Sequence, residues 1–187
     1  MSESSIRFPT AVLDAIAFSA RAHRNQVRKD GQTPYHSHVF RVCLIVRHVF
    51  GIDDDDVLTA AVLHDTIEDT TTDFDDVELS FGPTVAGWVA ALSKDKRLPE
   101  DEREESYMTG LARAPWQVRI CKMADIVDNL IDSAHLKAEQ RKHTCRRLRG
   151  YLGVLDSSDL PASARQAWAW TAALLAQTEG TLHDEQG

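Results

Sequence analysis

The sequence predicts an all-α protein folded as one domain, and three observations predict it. Apolar residues return every three or four positions in segment after segment, the spacing of a helix face. Prolines, glycines and aspartates punctuate those segments where helices start and stop. No stretch reads as a convincing strand, and there is no internal repeat or low-complexity segment. At 187 residues the chain is long enough to bury a sizeable core in one domain.

The elements follow in order. Pro9 opens a first helix that runs to about His23, with Val12, Leu13, Ile16, Ala17 and Ala20 as its apolar stripe. A polar loop from Arg24 to Pro34 turns at Asp30-Gly31. A second helix covers about Ser37 to Phe50, with Val39, Val42, Cys43, Val46 and Val49 inward, and Gly51 ends it. Asp53 to Asp56 lead into a third helix as N-cap and first-turn carboxylates. They lack the alternating oxygen ligands and glycine turn of a calcium loop. Asp73 to Phe81 forms a short helix stopped by Gly82-Pro83, and another runs from about Thr84 to Ser93. After the charged loop Lys94 to Pro99, Glu100 to Ala114 reads as an acidic, mostly solvated helix. Pro115 opens a long helix to about His135 that carries Val118, Ile120, Cys121, Ala124, Val127 and Ile131. Lys137 to Leu155 continues as a basic helix, broken near Gly150 or Gly153. Pro161 opens the last helix, to about Gln177, and the residues beyond fray. The domain thus spans 9–178, between an N-terminal segment 1–8 and a flexible tail 179–187.

Composition narrows the function classes. The 43% hydrophobic content is that of a soluble globular protein, and no window reaches the roughly 18 apolar residues of a membrane span. The polar start Met1-Ser2-Glu3-Ser4-Ser5 has no signal core, which predicts a cytoplasmic protein without membrane attachment. Cys43, Cys121 and Cys145 are far apart and form no CxxC pair, as expected of reduced thiols in apolar settings. A net charge of −8 argues against nucleic acid as a partner. An anionic small molecule remains compatible if basic residues are concentrated locally.

The most informative segment is His64-Asp65-Thr66-Ile67-Glu68-Asp69-Thr70. It follows the apolar run Val57 to Leu63, so one imidazole and three carboxylates close a buried helix. At helical spacing His64 faces Glu68, and Asp65 faces Asp69. Burying such charge is costly without compensation, and a metal cation is the simplest compensation. His64 and Asp65 supply one nitrogen and one oxygen, so further ligands must come from elsewhere. His38, at the start of the second helix, is one candidate; His36 competes with it, and only one of the two can face the metal. Asp125 is another, a carboxylate that interrupts the apolar run Ile120 to Ala124. Each also reads as an ordinary surface or capping residue. A mixed set of two imidazoles and two carboxylates suits manganese, iron or zinc. Arg21, Arg24, Arg28 and Lys29 form the strongest basic cluster of the first half, a place for polyphosphate or simply a solvated helix end. Tyr35 either contacts a nucleotide or packs behind Pro34; Asn129, one turn beyond Asp125, either contacts a sugar or bonds to backbone.

Read together and in order, four segments resemble the HD superfamily of metal-dependent phosphohydrolases. They are Arg28 to Tyr35 with His38, Ala61 to Thr70, Val77 to Gly82, and Lys122 to Asp125 with Asn129-Leu130. More narrowly they resemble the hydrolase domain of RelA/SpoT-type alarmone enzymes, especially the stand-alone small alarmone hydrolases. The similarity spans about Phe8 to Asp132. It implies an HD-type helical bundle. It implies His38, His64, Asp65 and Asp125 as ligands of one manganese ion. Glu68 and Asp69 would handle the attacking water, and Arg28, Lys29, Tyr35 and Asn129 would hold the nucleotide. The implied reaction removes the 3′-diphosphate of guanosine 3′,5′-bis(diphosphate), giving GDP or GTP and pyrophosphate. Other readings of the same site are an adenine alarmone, NADPH or a plain nucleotide as substrate, or an alarmone-binding module without turnover. There is no room for the synthetase half of the long family members.

The sequence departs from the family pattern at three places. Val39 stands where a proline is usual, and Ile126 and Ile131 stand where basic residues are common. A second basic run, Arg141, Lys142, Arg146, Arg147 and Arg149, lies outside the matched region. It reads as a solvated face, as a lid over substrate phosphates, or as a partner for the Glu100–Glu105 helix of another subunit in a homodimer. Trp88, Trp116, Trp168 and Trp170 read as core or interface residues.

Overall fold

The computed structural model describes residues 10–155 and 160–184. The segment 1–8, Pro9 and the end of the expected tail, 185–187, lie outside the described residues. Those described form helices and connecting turns with no strand; the nearest approach to one is an isolated bridge between Val27 and Pro34. In chain order the helices are α1 (Thr10–Ala22), α2 (His36–Leu44), α3 (Asp55–Leu63), α4 (Thr66–Asp69) and α5 (Phe74–Leu92). They continue with α6 (Glu100–Arg113), α7 (Trp116–Asp132), α8 (Ala138–Leu155) and α9 (Ala162–Asp184). No helix among them is long and apolar enough to cross a membrane.

Two helices form the centre. In α3 every residue from Val57 to Leu63 is buried, because it is packed by α1, α2, α5 and α7. In α7 the whole stretch Val118 to Asp128 is buried, its charged residues included, under α2, α5, α8 and α9. A helix surrounded on all sides is normally apolar all round. The four ionisable residues inside α7 (Arg119, Lys122, Asp125 and Asp128) therefore need partners, and they mark where the bundle departs from a plain hydrophobic core.

Local chemistry sets several boundaries as expected. Asp54 is the N-cap of α3 and accepts from the Asp56 and Val57 amides, both at 3.0 Å. Asp73 and Asp76 form a reciprocal capping box at the start of α5. Gly82 (φ 83°, ψ 166°) kinks α5 ahead of Pro83, in a backbone region a side chain would strain. Gly51 (φ 71°) ends the second helical segment, whose last turn, Ile45–Val49, is π-helical. The three cysteines are buried and unpaired.

Other expectations are corrected. In α1 Val12 and Ile16 pack against the core as expected, but the fully buried residues are Ala15 and Ser19, and Leu13 and Ala17 are exposed. The two small residues let α1 lie close against α3. Val49 and Ile131, expected inward, are exposed at the ends of their helices. The basic helix α8 is not broken: it runs through Gly150 and Gly153, and Gly150 faces Met108 of α6. Packing against α6 outweighs the helix penalty of glycine, about 1 kcal/mol each. The last helix continues past Gln177 to Asp184, held by the buried Leu182. Trp88, Trp116 and Trp168 pack against the core, whereas Trp170 is exposed.

One difference decides the site. The expected continuous helix through His64 is interrupted. α3 stops at Leu63, Asp65 has φ −102° and ψ −2°, and α4 begins at Thr66, whose hydroxyl donates to the Leu63 carbonyl at 2.7 Å. The turn re-aims the side chains, so simple helical spacing does not set their neighbours.

Candidate metal centre and active site

His38 comes from the first turn of α2, His64 and Asp65 from the turn between α3 and α4, and Asp125 from the middle of α7. Their ends converge. His38 Nε2 lies 3.5 Å from Asp65 Oδ2 and 3.2 Å from Asp125 Oδ1. His64 Nε2 lies 3.0 Å from Asp65 Oδ2 and 3.8 Å from Asp125 Oδ1. The ligand atoms of His38, His64 and Asp65 all fall within 4.8 Å of one another. His36 is not in this cluster, which resolves the competition with His38.

The tautomers suit a cation. The His64 Nδ1–H donates to the Ala61 carbonyl at 2.9 Å, which leaves the Nε2 lone pair pointing inward. That Nε2 is buried and has no hydrogen-bond partner, because its approach to Asp65 is not aligned for one. The His38 Nδ1–H donates to Asp128 Oδ2 at 2.6 Å, and Arg41 Nε holds Asp128 Oδ1 at 2.6 Å. A histidine ligand fixed by a carboxylate on its far nitrogen is the usual support of a metal site. Burial opposes protonation of His38, but Asp125, Asp128 and Asp65 around it push its pKa well above the ordinary histidine value. Burial likewise opposes ionisation of Asp65 and Asp125. His64 and His38 beside the first, and Lys122 and His38 beside the second, hold both below the usual carboxylate range. The same carboxylates that favour a proton on His38 and His64 would favour a divalent metal in its place, so two imidazole nitrogens and two ionised carboxylates fit such an ion.

Glu68 and Asp69 sit beside this cluster on α4 and line the same cleft. Burial raises the pKa of Glu68; the Lys94 amide, donating to Glu68 Oε2 at 2.9 Å, pulls against it. Asp69 Oδ1 accepts from Lys96 Nζ at 2.7 Å. Tyr35 ties the two groups together. Its hydroxyl donates to Asp65 Oδ2 at 2.6 Å and lies 3.3 Å from Asp69 Oδ2, and its ring stacks on His23 at 4.8 Å. Behind it, Gln26 Nε2 donates to the Asp69 carbonyl at 2.6 Å.

The expected nucleotide-holding residues divide. Arg28 and Asn129 line the cleft, but their polar atoms are engaged within the protein. Arg28 is 8% exposed and donates to Asp132 Oδ2 at 3.0 and 2.7 Å and to Asn129 Oδ1 at 3.2 Å. Asn129 Nδ2 donates to the carbonyl and to Oδ1 of Asp125, at 3.0 and 2.6 Å. Lys29 stands exposed at the rim, its pKa lowered by partial desolvation and by the nearby cations Arg147 and Arg28. Arg21 and Arg24 are not among the described residues that line the cleft.

Sequence reasoning missed three contributors. Asp128 lies one turn beyond Asp125 and Lys122 one turn before it, so their spacing on α7 was the available signal. Lys94 reaches the cleft from a loop, and no local pattern marks it; Arg147 reaches it from α8, in keeping with the reading of the second basic run as cations over substrate phosphates. Of the rest of the second basic run, Arg149 pairs with Glu179 and Lys142 with Glu139, and Arg146 is exposed. Glu104, in the helix expected to meet another subunit, is bonded to Lys94 and Tyr151 of its own chain. The departures at Val39 and Ile126 do not touch the cleft, because both are buried in the core; Ile131 is exposed outside it.

The result is a cleft of about 290 Å³ with two unlike ends. One carries His38, Asp65 and Asp125, and the other Lys29 and Arg147; Lys94 and Lys122 also line it. Comparison with known proteins agrees with this layout. A family profile described as HD domain matches residues 15–149. The Drosophila melanogaster guanosine-3′,5′-bis(diphosphate) 3′-pyrophosphohydrolase MESH1 is 41% identical over 127 residues, covering 67% of this chain and 71% of that protein. The human protein of the same name is 43% identical over 122 residues, covering 65% and 68%. A solved structure described as a metazoan ortholog of SpoT that hydrolyses ppGpp aligns with a TM-score of 0.75 at 31% identity, covering 91% of this chain and 96% of that one. With the profile spanning most of the chain and the fruit-fly relative covered over more than two thirds of its length, this chain belongs to the HD-domain family.

Proposed function

We propose that the chain is a manganese-dependent hydrolase that removes the 3′-diphosphate of guanosine 3′,5′-bis(diphosphate). The observation that carries this reading is the convergence of His38, His64, Asp65 and Asp125 beside an acidic pair, Glu68 and Asp69, in a cleft rimmed by cations. The named activity of relatives 41% and 43% identical supports the substrate. Those four residues would hold the ion. When bound, it supplies positive charge that acidifies water and polarises a phosphoryl oxygen.

The chain's own residues do the rest. Glu68, its pKa raised by burial, is a stronger base than a solvated carboxylate and can take a proton from water. The Lys94 amide fixes its orientation. Asp69, tied to Lys96 and Tyr35, offers a carboxylate oxygen that orients the water. Lys29 and Arg147 face the diphosphate and offset its charge. Water forms a new bond to the phosphorus attached at the ribose 3′ oxygen, the bond from that phosphorus to the 3′ oxygen breaks, and one proton of the water ends on that oxygen. The products are GDP and pyrophosphate.

The test is turnover of guanosine 3′,5′-bis(diphosphate) with manganese, followed by release of pyrophosphate and GDP, beside a panel containing an adenine alarmone, NADPH and nucleoside phosphates. Stoichiometric pyrophosphate and GDP support the assignment. Cleavage of other panel members alone overturns the substrate. Binding without turnover overturns the enzyme reading in favour of a sensor.

A further inference from the structure

Asp125 has two carboxylate oxygens, and the fold allots them differently. Oδ1 faces the histidines and accepts from Asn129; Oδ2 accepts from Lys122 Nζ at 2.8 Å. Lys122 is 8% exposed, so its ammonium cannot rely on water. It rests instead on two aromatic faces, 4.6 Å from the Tyr151 ring centre and 5.3 Å from that of Tyr107. The rings stand at 90° to each other with centres 5.7 Å apart, and they come from α8 and α6. Neither helix supplies a residue to the histidine–carboxylate cluster.

The same two rings carry a second ammonium. Lys94 Nζ lies 5.1 Å from the Tyr151 ring and 5.3 Å from Tyr107, and it bonds to the Tyr151 hydroxyl at 2.7 Å and Glu104 Oε1 at 2.6 Å. Its backbone amide is the donor that holds Glu68. One aromatic pair therefore supports both the lysine on the Asp125 carboxylate and the lysine whose amide orients the base.

We infer that Lys122, held on the Tyr107–Tyr151 pair, is a positioning residue that occupies one oxygen of Asp125 so that the other is presented to the metal. The inference rests on the ligand set proposed above. A lysine beside a metal site has two effects of opposite sign. Its charge repels a cation, and its hydrogen bond fixes the ligand. Removal of Lys122 decides between them, since loss of a residue that orients a ligand typically weakens metal affinity by about 10- to 100-fold, whereas loss of a mere repelling charge tightens it.

The experiment is titration of the purified protein with manganese, with free ion read by its electron paramagnetic resonance signal, and steady-state kinetics alongside. Lys122→Met should weaken manganese binding about 10- to 100-fold, and Lys122→Arg should restore it to within a few-fold. Tyr151→Leu, which removes a ring face, should weaken binding several-fold; Tyr151→Phe, which keeps the face and loses only the hydroxyl, should leave manganese affinity nearly unchanged. Should Lys122→Met fail to fold, the two Tyr151 variants carry the decision. Unchanged or tighter binding in Lys122→Met, or equal binding in Tyr151→Leu and Tyr151→Phe, overturns the inference. Failure of the unaltered protein to bind manganese overturns the ligand set instead.

Discussion

The two ends of the cleft were drawn from equally suggestive residues, yet only one is assembled as its residues suggest. At the metal end, four side chains from three helical segments bring their nitrogen and oxygen atoms together. At the cationic end, Arg28 is turned onto Asp132 and Asn129, while Arg147, from a run that read equally as a solvated face, a phosphate lid or a subunit contact, lines the cleft. The difference lies in what each residue type demands. A buried histidine or aspartate has few ways to be satisfied, so its presence in an apolar run constrains its surroundings. An arginine carries five donors on a long stem and takes whichever carboxylate the fold supplies. Chelating residues thus announce a site, whereas cations announce only that some anion is near.

Variants at the metal end should break that comparison most sharply. His64→Ala removes a proposed ligand whose buried Nε2 has no hydrogen-bond partner. Turnover should fall by roughly 10³-fold or more, since acidification of water is lost with the ion, and manganese binding should weaken in parallel. Glu68→Gln should lower turnover by about 10²- to 10⁴-fold with manganese affinity retained. Equal loss of metal in both variants would place Glu68 among the ligands. One step further out, Asp128→Asn keeps the size but weakens the hold on the His38 Nδ1–H. A loss of about 10- to 100-fold in manganese affinity is expected, and isothermal titration would read it.

The cationic end is sharpened by a pair of substitutions. Arg147→Ala should raise KM about tenfold at nearly constant kcat, the equivalent of one charge-assisted hydrogen bond, with the effect shrinking as salt is added. Arg28→Ala should act on folding, because it strips partners from Asp132 and Asn129 in a nearly buried setting. A stability loss of about 2 kcal/mol is expected, measurable by urea unfolding. If Arg28→Ala instead changes only KM, the internal pairing is broken when substrate binds.

The same contrast explains what could be read from the sequence. Element types and most boundaries were legible because they depend on near neighbours: Asp54 capping α3, the Asp73–Asp76 box, Gly82 before Pro83. The close seat of α1 on Ala15 and Ser19, the end of α9 and the passage of α8 through Gly150 were not, because each is decided by what packs against the helix. At the site, the convergence of His38, His64, Asp65 and Asp125 was expected from the resemblance. The break at Asp65 was not, although it places them, since the turn in which Thr66 bonds back to Leu63 leaves no mark in helical spacing. Lys94 reaches the cleft from a distant loop with no local mark, and Arg147 was marked only as one cation of a basic run.

The smallest expected effect concerns His23, which supports the metal end from behind. Its ring stacks on Tyr35, its Nδ1–H donates to Gln26 Oε1 at 2.8 Å, and its buried Nε2 has no hydrogen-bond partner. Burial lowers its pKa below the ordinary 6.5, with the Gln26 bond and the charge of Asp65 pulling the other way. A pH unit or more above 6.5 the residue is essentially neutral in both folded and unfolded chains and contributes almost nothing to the pH dependence of stability. As the pH falls below that value, the unfolded chain takes up the proton first, so stability is lost until the lower folded pKa is reached. The slope from this one group cannot exceed about 1.4 kcal/mol per pH unit. His23→Phe keeps the stack on Tyr35 and removes the titration. Urea unfolding of both proteins in chelator from pH 8.5 to 5 should give a difference in stability that is nearly flat at the alkaline end and moves in favour of the variant as the pH falls through 6.5, since groups common to both cancel. A difference that stays flat throughout would mean that folded His23 accepts its proton as readily as a solvated histidine. The back of Tyr35, and with it the hydroxyl that joins Asp65 to Asp69, would then face a charge rather than a neutral ring.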